Sequence, residues 1–490
     1  MFERFIRSYR KGRGSESEPA KSSEKLQRPL MIVKKADLTS YPIDYFVHQL
    51  DKELTLGDLH GNTLKLLYFL IQHGVVDLPD RMRGLNKQDL YAQLVKIYNT
   101  PPESIQKKEI DFFAEVIANL QIKNRNAIRL IGDELADRGM YDPFTLLLFK
   151  KLNQKKIPLT ILASNHGFEF YLAYRKVKDE LEGKSPGKAP AKFVPTTLFS
   201  DQARSLDNID GLVQRNLITQ QDVIKLYEQN YLANLKLIDY AFDEKNKTFT
   251  LFTHAVSGLT TIKNAAVQFG IEYKGETIAE LMQTIDLIND TFVTKSQDGS
   301  LPIDFFNPHY AEDDHEQTYV KMAYPFARII WNRTYPEGED LMPSELDGYS
   351  LHYVHGHNGS TPVPDEKLVT NLDEVNLFGR PYYDQAPYAI YAQTVSRPVL
   401  EDRDEVEQQP PETLPISKEL SEELVNKLLD VFKALELLLD KIESELDRLI
   451  AERKQKSFGS SSNFFPDKDS GAEQARENSP HHRKHLNQGK

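Results

Sequence analysis

The segment Leu54-Thr55-Leu56-Gly57-Asp58-Leu59-His60-Gly61-Asn62 joins a short apolar run to a pair of metal-ligand side chains flanked by glycine. Asp58 and His60 stand two positions apart on a segment that leaves a predicted strand. Gly57 and Gly61 permit a tight backbone course that other residues resist. Both side chains can therefore turn toward one ion. Taken alone, such a stretch is an ordinary turn more often than a metal site, so its meaning depends on the rest of the chain.

Four further apolar runs end in the same way, with Asp, Asn, His or Arg directly after the run. They are 128–131 before Gly132-Asp133-Glu134-Leu135-Ala136-Asp137-Arg138-Gly139, 159–162 before Ser164-Asn165-His166, 249–253 before His254, and 351–354 before His355-Gly356-His357-Asn358. Ligands of an open α/β sheet bind at the carboxyl ends of its strands. We therefore expect all five clusters to face one crevice.

These side chains predict a centre for two divalent cations. Asp133 offers two carboxylate oxygens that can bridge two ions, while Asn165, His254 and His357 supply neutral ligands for the second ion. Two ions about 3.5–4 Å apart clamp a phosphate and acidify a bridging water. Mixed His, Asp and Asn ligation suits Mn²⁺, Fe, Zn or Co better than Ca²⁺, and we expect Mn²⁺.

Composition narrows the possible chemistry. The 490 residues include no cysteine, which excludes disulfides, Cys-ligated zinc, iron–sulfur clusters and thiol catalysis. The formal net charge of −12 argues against a non-specific nucleic-acid binder. No stretch approaches the roughly 20 apolar residues of a membrane span. We expect neither a nucleic-acid partner nor an integral membrane segment.

Composition also divides the chain into five segments. Short β-branched or Leu-rich runs alternate with helical patterns over 30–398, which predicts an α/β catalytic domain. The preceding segment, 1–29, is predicted to be disordered, with a basic amphipathic helix at 1–13 as the alternative. An acidic linker at 399–415 leads to a helical, coiled-coil-like segment at 416–456 and a disordered tail at 457–490.

The helical segment 416–456 carries two adjoining apolar rows, a face wider than a two-stranded zipper needs. It can pack within the chain or bind a protein partner, and both possibilities stay open.

The motif set resembles the calcineurin-like metallophosphoesterase superfamily, specifically its phosphoprotein phosphatase branch. That branch carries GDxHG, GDxxDRG, GNHE and separated histidines ending in GH[TN], and residues 53–395 follow this order. The resemblance implies a β-sandwich flanked by helices, here with helical insertions. It also implies two metal sites, one formed by Asp58, His60 and Asp133, the other by Asp133, Asn165, His254 and His357.

The same resemblance implies the groups that act on the phosphate. His166 is similar to the general acid that protonates the leaving oxygen, and Asp137 to the residue that orients it. Arg138 is similar to a phosphate clamp. The run 329–333 resembles the W-x-R segment of bacterial members, which makes Arg333 the second clamp.

Two motifs depart from the pattern. Four steps rather than three separate Asp133 from Asp137, so a bulge must absorb one residue. The third motif has Ser164 in place of its first Gly, and Glu169 is displaced by two positions. The metal-ligand positions are unaffected, whereas the support around Arg138 and His166 must differ.

Within the superfamily, the chain resembles the Wip phosphatases that intracellular Legionella bacteria inject into host cells. The shared features are the altered motifs, helical insertions at 78–120, 206–242 and 262–294, and a helical segment after the catalytic domain. This implies a protein made in the bacterial cytoplasm and translocated into the host cytoplasm. The helical segment 416–456 makes the chain more similar to WipA, a tyrosine phosphatase, than to WipB, a serine/threonine phosphatase.

The predicted function is hydrolysis of phosphoprotein monoesters, with phosphotyrosine favoured, through attack by a metal-bound hydroxide. Three alternatives stay open. They are a serine/threonine phosphatase of the same fold, a dinucleoside polyphosphate hydrolase with the same metals, and a scaffold protein with a degraded catalytic domain.

Overall fold

The computed structural model describes residues 30–43, 45–46, 52–184, 192–194, 203–302, 306, 323–335, 340–357, 365, 368–373 and 388–396. Contacts divide the chain into two units, Met1–Leu400 and Glu401–Lys490. Every described residue belongs to the first unit. The segments predicted at 1–29, 399–415, 416–456 and 457–490 lie outside the described residues.

Helices and strands alternate along the described chain. The strands are β1 (Leu30–Ala36), β2 (Lys52–Leu56), β3 (Val76–Asp77), β4 (Arg81–Met82), β5 (Leu85–Asn86), β6 (Gln121–Ile122), β7 (Ile128–Leu130), β8 (Leu159–Leu162), β9 (Leu235–Lys236), β10 (Asp239–Asp243), β11 (Thr248–Phe252), β12 (Glu345–Leu346), β13 (Tyr349–His355), β14 (Val369–Asn371) and β15 (Tyr388–Ser396). The helices are α1 (Thr63–Gln72), α2 (Lys87–Tyr98), α3 (Lys107–Ala118), α4 (Asp142–Gln154), α5 (Asn165–Leu181), α6 (Arg204–Gln214), α7 (Gln220–Asn230), α8 (Leu259–Gln268), α9 (Ile278–Asp298) and α10 (Pro325–Trp331). The predicted mixed α/β class is confirmed. Among the described helices, none combines the length and apolar character that a membrane crossing requires.

The strands form two larger sheets. One has the order β1-β15-β2-β7-β8-β9, in which β2, β7, β8 and β9 run parallel. The other has the order β10-β11-β13-β12, with β14 also paired to β13, and β11, β13 and β14 run parallel. All five predicted apolar runs are strands, three in the first sheet and two in the second. The single open sheet assumed from the strand-end pattern is therefore wrong.

Side chains of the two sheets contact each other. On β7, Ile128 and Leu130 belong to the main core, whereas Arg129 points to the opposite face, as strand alternation requires. A second hydrophobic cluster, separate from the main core, contains six buried side chains from the two sheets and the residues that follow their strands. They are Ile131, Leu162, Ala241, Phe252, Val354 and Leu372. Both faces of β7 are therefore covered.

A buried ion network joins the two sheets. The Arg129 guanidinium donates to Asp239 Oδ2 on β10 (2.6 Å) and to Glu53 Oε2 on β2 (2.7 Å). Its carbon lies 3.7 Å from the ring centroid of Phe252. Burial raises the pKa of Asp239, but the Arg129 charge outweighs it and holds that pKa below its ordinary value. Arg129 thus pairs with a carboxylate in each sheet, and Asp239 also accepts from Lys236 Nζ at 2.8 Å.

Helices occupy the three predicted insertions, with one correction. The pairs α2–α3, α6–α7 and α8–α9 occupy 78–120, 206–242 and 262–294, although α6 begins at Arg204, α8 begins at Leu259 and α9 ends at Asp298. The end of the second insertion is not helical, because β9 and β10 form there and β10 pairs with β11. The periodicity of a short apolar run is compatible with a helix or a strand. Here, pairing with β8 and β11 makes these residues strands.

Replacing Arg129 with Met would leave buried Glu53 without its cation and would leave buried Asp239 with Lys236 alone. We expect Arg129→Met to lower the free energy of unfolding by about 3–5 kcal/mol, measured by denaturant titration. The matched control is Arg83→Met, which removes an exposed arginine paired with Glu115. It should change stability by less than about 1 kcal/mol. Equal losses in the two variants would contradict the role assigned to Arg129.

Candidate active site

The six predicted metal-ligand side chains follow the carboxyl ends of five strands by two to four residues. All six are buried. Three strand ends of the first sheet supply four of these side chains and two strand ends of the second supply the other two, so the side chains meet where the two sheets adjoin. They are Asp58 and His60 after β2, Asp133 after β7, Asn165 after β8, His254 after β11 and His357 after β13.

Two groups of these side chains share Asp133. The ligand atoms of Asp58, His60 and Asp133 lie within 4.8 Å of one another, as do those of Asp133, His254 and His357. Asn165 Oδ1 is 2.9 Å from His254 Nε2. The buried oxygens Asp58 Oδ1 and Asp133 Oδ1 accept no hydrogen bond, although such buried atoms need a partner. These buried groups could bind a metal ion.

Backbone carbonyls determine which nitrogen of two histidines faces the centre. His254 Nδ1 donates to the Ile131 carbonyl (3.1 Å), so Nε2 faces Asp133 at 3.4 Å. His357 Nε2 donates to the Trp331 carbonyl (3.1 Å). Burial lowers the pKa of His254, and burial together with the Arg333 charge lowers that of His357 well below its usual value. Both rings are therefore neutral, the form that binds a metal.

Left-handed backbone is concentrated at this site. His60, Asp133 and His357 have φ values of 53°, 58° and 59°. Residues with a side chain rarely adopt this region, which costs roughly 1–3 kcal/mol each at functional sites. The surrounding fold thus holds three candidate ligands in conformations that they would not adopt alone.

Ser164 compensates for the altered start of the third motif. Its hydroxyl accepts hydrogen bonds from the Gly167 N–H, which caps helix α5, and from the Asp133 N–H, both at 3.0 Å. A glycine offers no such acceptor. Serine therefore ties the second and third motifs together.

Ala136 absorbs the extra residue of the second motif. Its φ is 54°, and its N–H donates to Asp142 Oδ2 at 3.0 Å. Its carbonyl accepts from His166 Nδ1 at 2.8 Å. Asp137 Oδ1 lies 3.6 Å from His166 Nε2, beyond hydrogen-bond distance.

Asp137 and Arg138 lie beside His60. Arg138 donates to Asp137 Oδ1 through Nε (2.8 Å), and its Nη2 is 2.9 Å from His60 Nδ1. Burial raises the pKa of Asp137, but the charges of Arg138 and His166 hold it well below its ordinary value. Arg333 is exposed and donates from Nη1 to the His357 carbonyl (3.1 Å). Each predicted phosphate clamp therefore contacts a predicted metal-ligand histidine.

Two functional candidates escaped the sequence analysis. Asp373 Oδ1 lies 3.2 Å from His60 Nε2, and buried Lys65 donates from Nζ to the Asp58 carbonyl. Asp373 follows β14, which runs parallel to β13. In sequence, 371–373 resembles the next strand of the family and predicts a structural role only, whereas the structure places Asp373 beside His60. Lys65 has no comparable sequence signal.

His355 lies on β13 two residues before His357, but its contacts differ. It is buried, and its Nε2 is 3.1 Å from the hydroxyl of Tyr335. Burial lowers the pKa of His355 to about 4. Its recorded contacts place it beside the centre rather than among the ligands.

The fold and this buried Asp/His centre define a phosphatase domain. The model of a family described as the WipA-like phosphatase domain matches residues 127–380, which is just over half of the chain. The chain belongs to this family. The matched range contains Asp133, Asn165, His254 and His357, and it begins after Asp58 and His60.

A solved structure agrees with the family match. The phosphatase domain of the Legionella effector WipB is similar to this chain, with 27% sequence identity and a TM-score of 0.53. The similarity covers 62% of this chain and 99% of the WipB domain. No curated protein matches the sequence significantly.

Gly139 brings the first and second motifs into contact, because a Cβ atom there would lie 1.8 Å from the Gly61 carbonyl oxygen. We expect Gly139→Ala to lower the free energy of unfolding by about 1–3 kcal/mol, measured by thermal or denaturant unfolding. The control is Gly211→Ala in α6, where the new Cβ would lie 3.8 Å from Pro102 Cβ. That change should be neutral or stabilising by up to about 1 kcal/mol. A neutral Gly139→Ala would contradict the close approach.

Proposed function

We propose that this protein is a two-metal phosphoprotein phosphatase. The observation that carries the proposal is that Asp133 belongs both to a buried group with Asp58 and His60 and to one with His254 and His357; a third group joins it to Asp137 and His166. Both Asp58 and Asp133 keep a buried oxygen without a hydrogen bond. A carboxylate oxygen in that situation is stabilised by a cation.

The donor set fits two divalent ions. Asp58, His60 and Asp133 would hold one ion, and Asp133, Asn165, His254 and His357 would hold the other. We propose Mn²⁺, with Fe, Zn or Co as alternatives. When bound, the ions would neutralise charge on the phosphate oxygens and lower the pKa of a water molecule.

Three further side chains would act on the ester itself. The guanidinium groups of Arg138 and Arg333 would bind the phosphate oxygens. Because His166 Nδ1 is committed to the Ala136 carbonyl, Nε2 is the ring nitrogen that would pass a proton to the leaving oxygen. The Asp137 carboxylate holds the Arg138 guanidinium and lies 3.6 Å from His166 Nε2, so it would help to orient both groups.

We propose that the two larger sheets form the β-sandwich of calcineurin-like metallophosphoesterases. Two observations support this: the mixed apolar cluster contains side chains from both sheets, and Arg129 on β7 bonds to Asp239 on β10. Sandwiched sheets would keep the strand ends that carry the ligands in register.

We also propose that the protein is a bacterial effector that is translocated into the host cytoplasm and acts on phosphoproteins there. Support comes from membership of the WipA-like family and from the similarity to a domain of the Legionella effector WipB. The segment 416–456 would recruit a protein partner or pack within the chain. Phosphotyrosine is the preferred substrate.

Removing the shared carboxylate tests the metal centre. Asp133→Asn should lose at least one bound ion and lower para-nitrophenyl phosphate turnover by about 100-fold or more. Metal content is measured by elemental analysis of protein loaded with Mn²⁺. The matched control is Asp290→Asn, an exposed position on α9, which should retain metal and activity. Two ions and full turnover in Asp133→Asn would sink the assignment.

Parallel assays of the full chain test the substrate class. Phosphotyrosine and phosphothreonine peptides of one sequence, together with a diadenosine polyphosphate, are compared by kcat/KM in Mn²⁺. We expect the phosphotyrosine peptide to be preferred by about 10-fold, or roughly 1.4 kcal/mol. Faster cleavage of phosphothreonine would favour the serine/threonine alternative. Cleavage of the dinucleotide alone would favour the polyphosphate hydrolase, and no cleavage would favour the scaffold.

A further inference from the structure

His166 is oriented by a backbone carbonyl rather than by a carboxylate. Its Nδ1 donates to the Ala136 oxygen at 2.8 Å, and the ring is buried. Asp137 approaches the other nitrogen, at 3.6 Å. The carbonyl that holds the ring therefore belongs to the loop that contains the extra residue.

Ala136 is itself held by a buried side chain. It adopts φ 54°, a conformation in which a residue with a Cβ is strained. Its N–H donates to Asp142 Oδ2, and Asp142 is fully buried at the start of α4. Asp142 Oδ1 has no hydrogen-bond partner, which makes burial of this carboxylate costly. In return, the buried Asp142 carboxylate accepts a hydrogen bond that holds the backbone of Ala136 in place.

The same Asp142 oxygen connects to an insertion helix. Ser205, in the first turn of α6, donates from Oγ to Asp142 Oδ2 at 2.8 Å. The Ser205 N–H donates to the Asp137 carbonyl at 3.3 Å. Asn208 Nδ2, one turn later, donates to the Met140 carbonyl at 2.7 Å. Helix α6 thus contacts the segment that directly follows the bulge, at Asp137, Met140 and Asp142.

We propose that Asp142 and Ser205 are positioning residues for the general acid, acting through the backbone of Ala136. The chain Ser205–Asp142–Ala136–His166 fixes the ring so that Nε2 faces the leaving oxygen. This inference rests on the proposed phosphatase function. It also gives the α6 insertion a role in positioning the general acid, because Ser205 of α6 supplies the hydroxyl at the end of this series of hydrogen bonds.

Leaving-group dependence distinguishes acid positioning from a general structural role. Phenyl phosphate, whose leaving oxygen is strongly basic, needs the proton, whereas para-nitrophenyl phosphate needs it far less. In Mn²⁺-loaded enzyme, Asp142→Ala should lower kcat for phenyl phosphate by about 10- to 100-fold and for para-nitrophenyl phosphate by less than about 3-fold. KM and metal content should not change. Asp142→Asn, which keeps an acceptor for the Ala136 N–H, should recover the phenyl phosphate rate.

Ser205→Ala is the milder variant, which keeps the test decisive if Asp142→Ala does not fold. It should lower kcat for phenyl phosphate more than kcat for para-nitrophenyl phosphate, as Asp142→Ala does, but by a smaller factor. The matched control is Asp207→Ala, an exposed position in the same turn of α6, which should leave both rates unchanged. Equal losses on the two substrates, or loss of bound Mn²⁺, would overturn the positioning role.

His166→Ala separates this inference from the function on which it rests. That variant should show the largest split between the two substrates. If it shows the split but neither Asp142→Ala nor Ser205→Ala does, only the positioning role fails. If the wild-type protein lacks Mn²⁺-dependent hydrolysis, the proposed function and this inference fail together.

Discussion

Buried carboxylates crowd together where the two sheets adjoin, and the site is organised around their repulsion. Burial, followed by the charges of Asp373 and Asp133, raises the pKa of Asp58 well above its ordinary value. Positive charge nearby comes from Lys65, Arg138 and Arg333. Hydrogen bonds to Asp137 and Asp373 raise the pKa of His60, although burial and Arg138 oppose this. Divalent cations between these carboxylates would replace their mutual repulsion with attraction, since two such ions add four positive charges.

Such a centre requires two sheets to be held in register to within a fraction of an ångström. The His357 N–H donates to Asp58 Oδ2 (2.9 Å), and His254 Nδ1 donates to the Ile131 carbonyl. Both candidate ligand histidines that follow strands of the second sheet are therefore bonded to residues that follow strands of the first. Below these bonds, Arg129 and the mixed apolar cluster join the same sheets. Stability and ligand placement therefore depend on the same junction, which explains why left-handed conformations persist there.

The sequence was enough to predict the strand ends that carry the candidate ligands, because each combines an apolar run with a polar ending. It could not show which strands pair. The five apolar runs, which the strand-end rule treated as one sheet, are divided between two sheets. Periodicity also assigned 235–242 to a helical insertion, where β10 instead pairs with β11. Asp373 was not assigned to the site for a related reason: the short strand before it was not counted with the other five, and it lies 313 positions from His60.

The departures from the family motifs fall on supporting groups, and each brings a replacement. Ser164 supplies an acceptor to Asp133 where the pattern has glycine, and the extra residue at Ala136 supplies a carbonyl to His166. A site losing its function has no reason to gain matched partners for displaced groups, whereas the ligand positions would be free to change. The buried bonds of Asp142 to Ala136 and Ser205 extend the same compensation into the α6 insertion. The altered motifs therefore favour a catalytic centre rebuilt around a longer loop over the degraded centre of a scaffold.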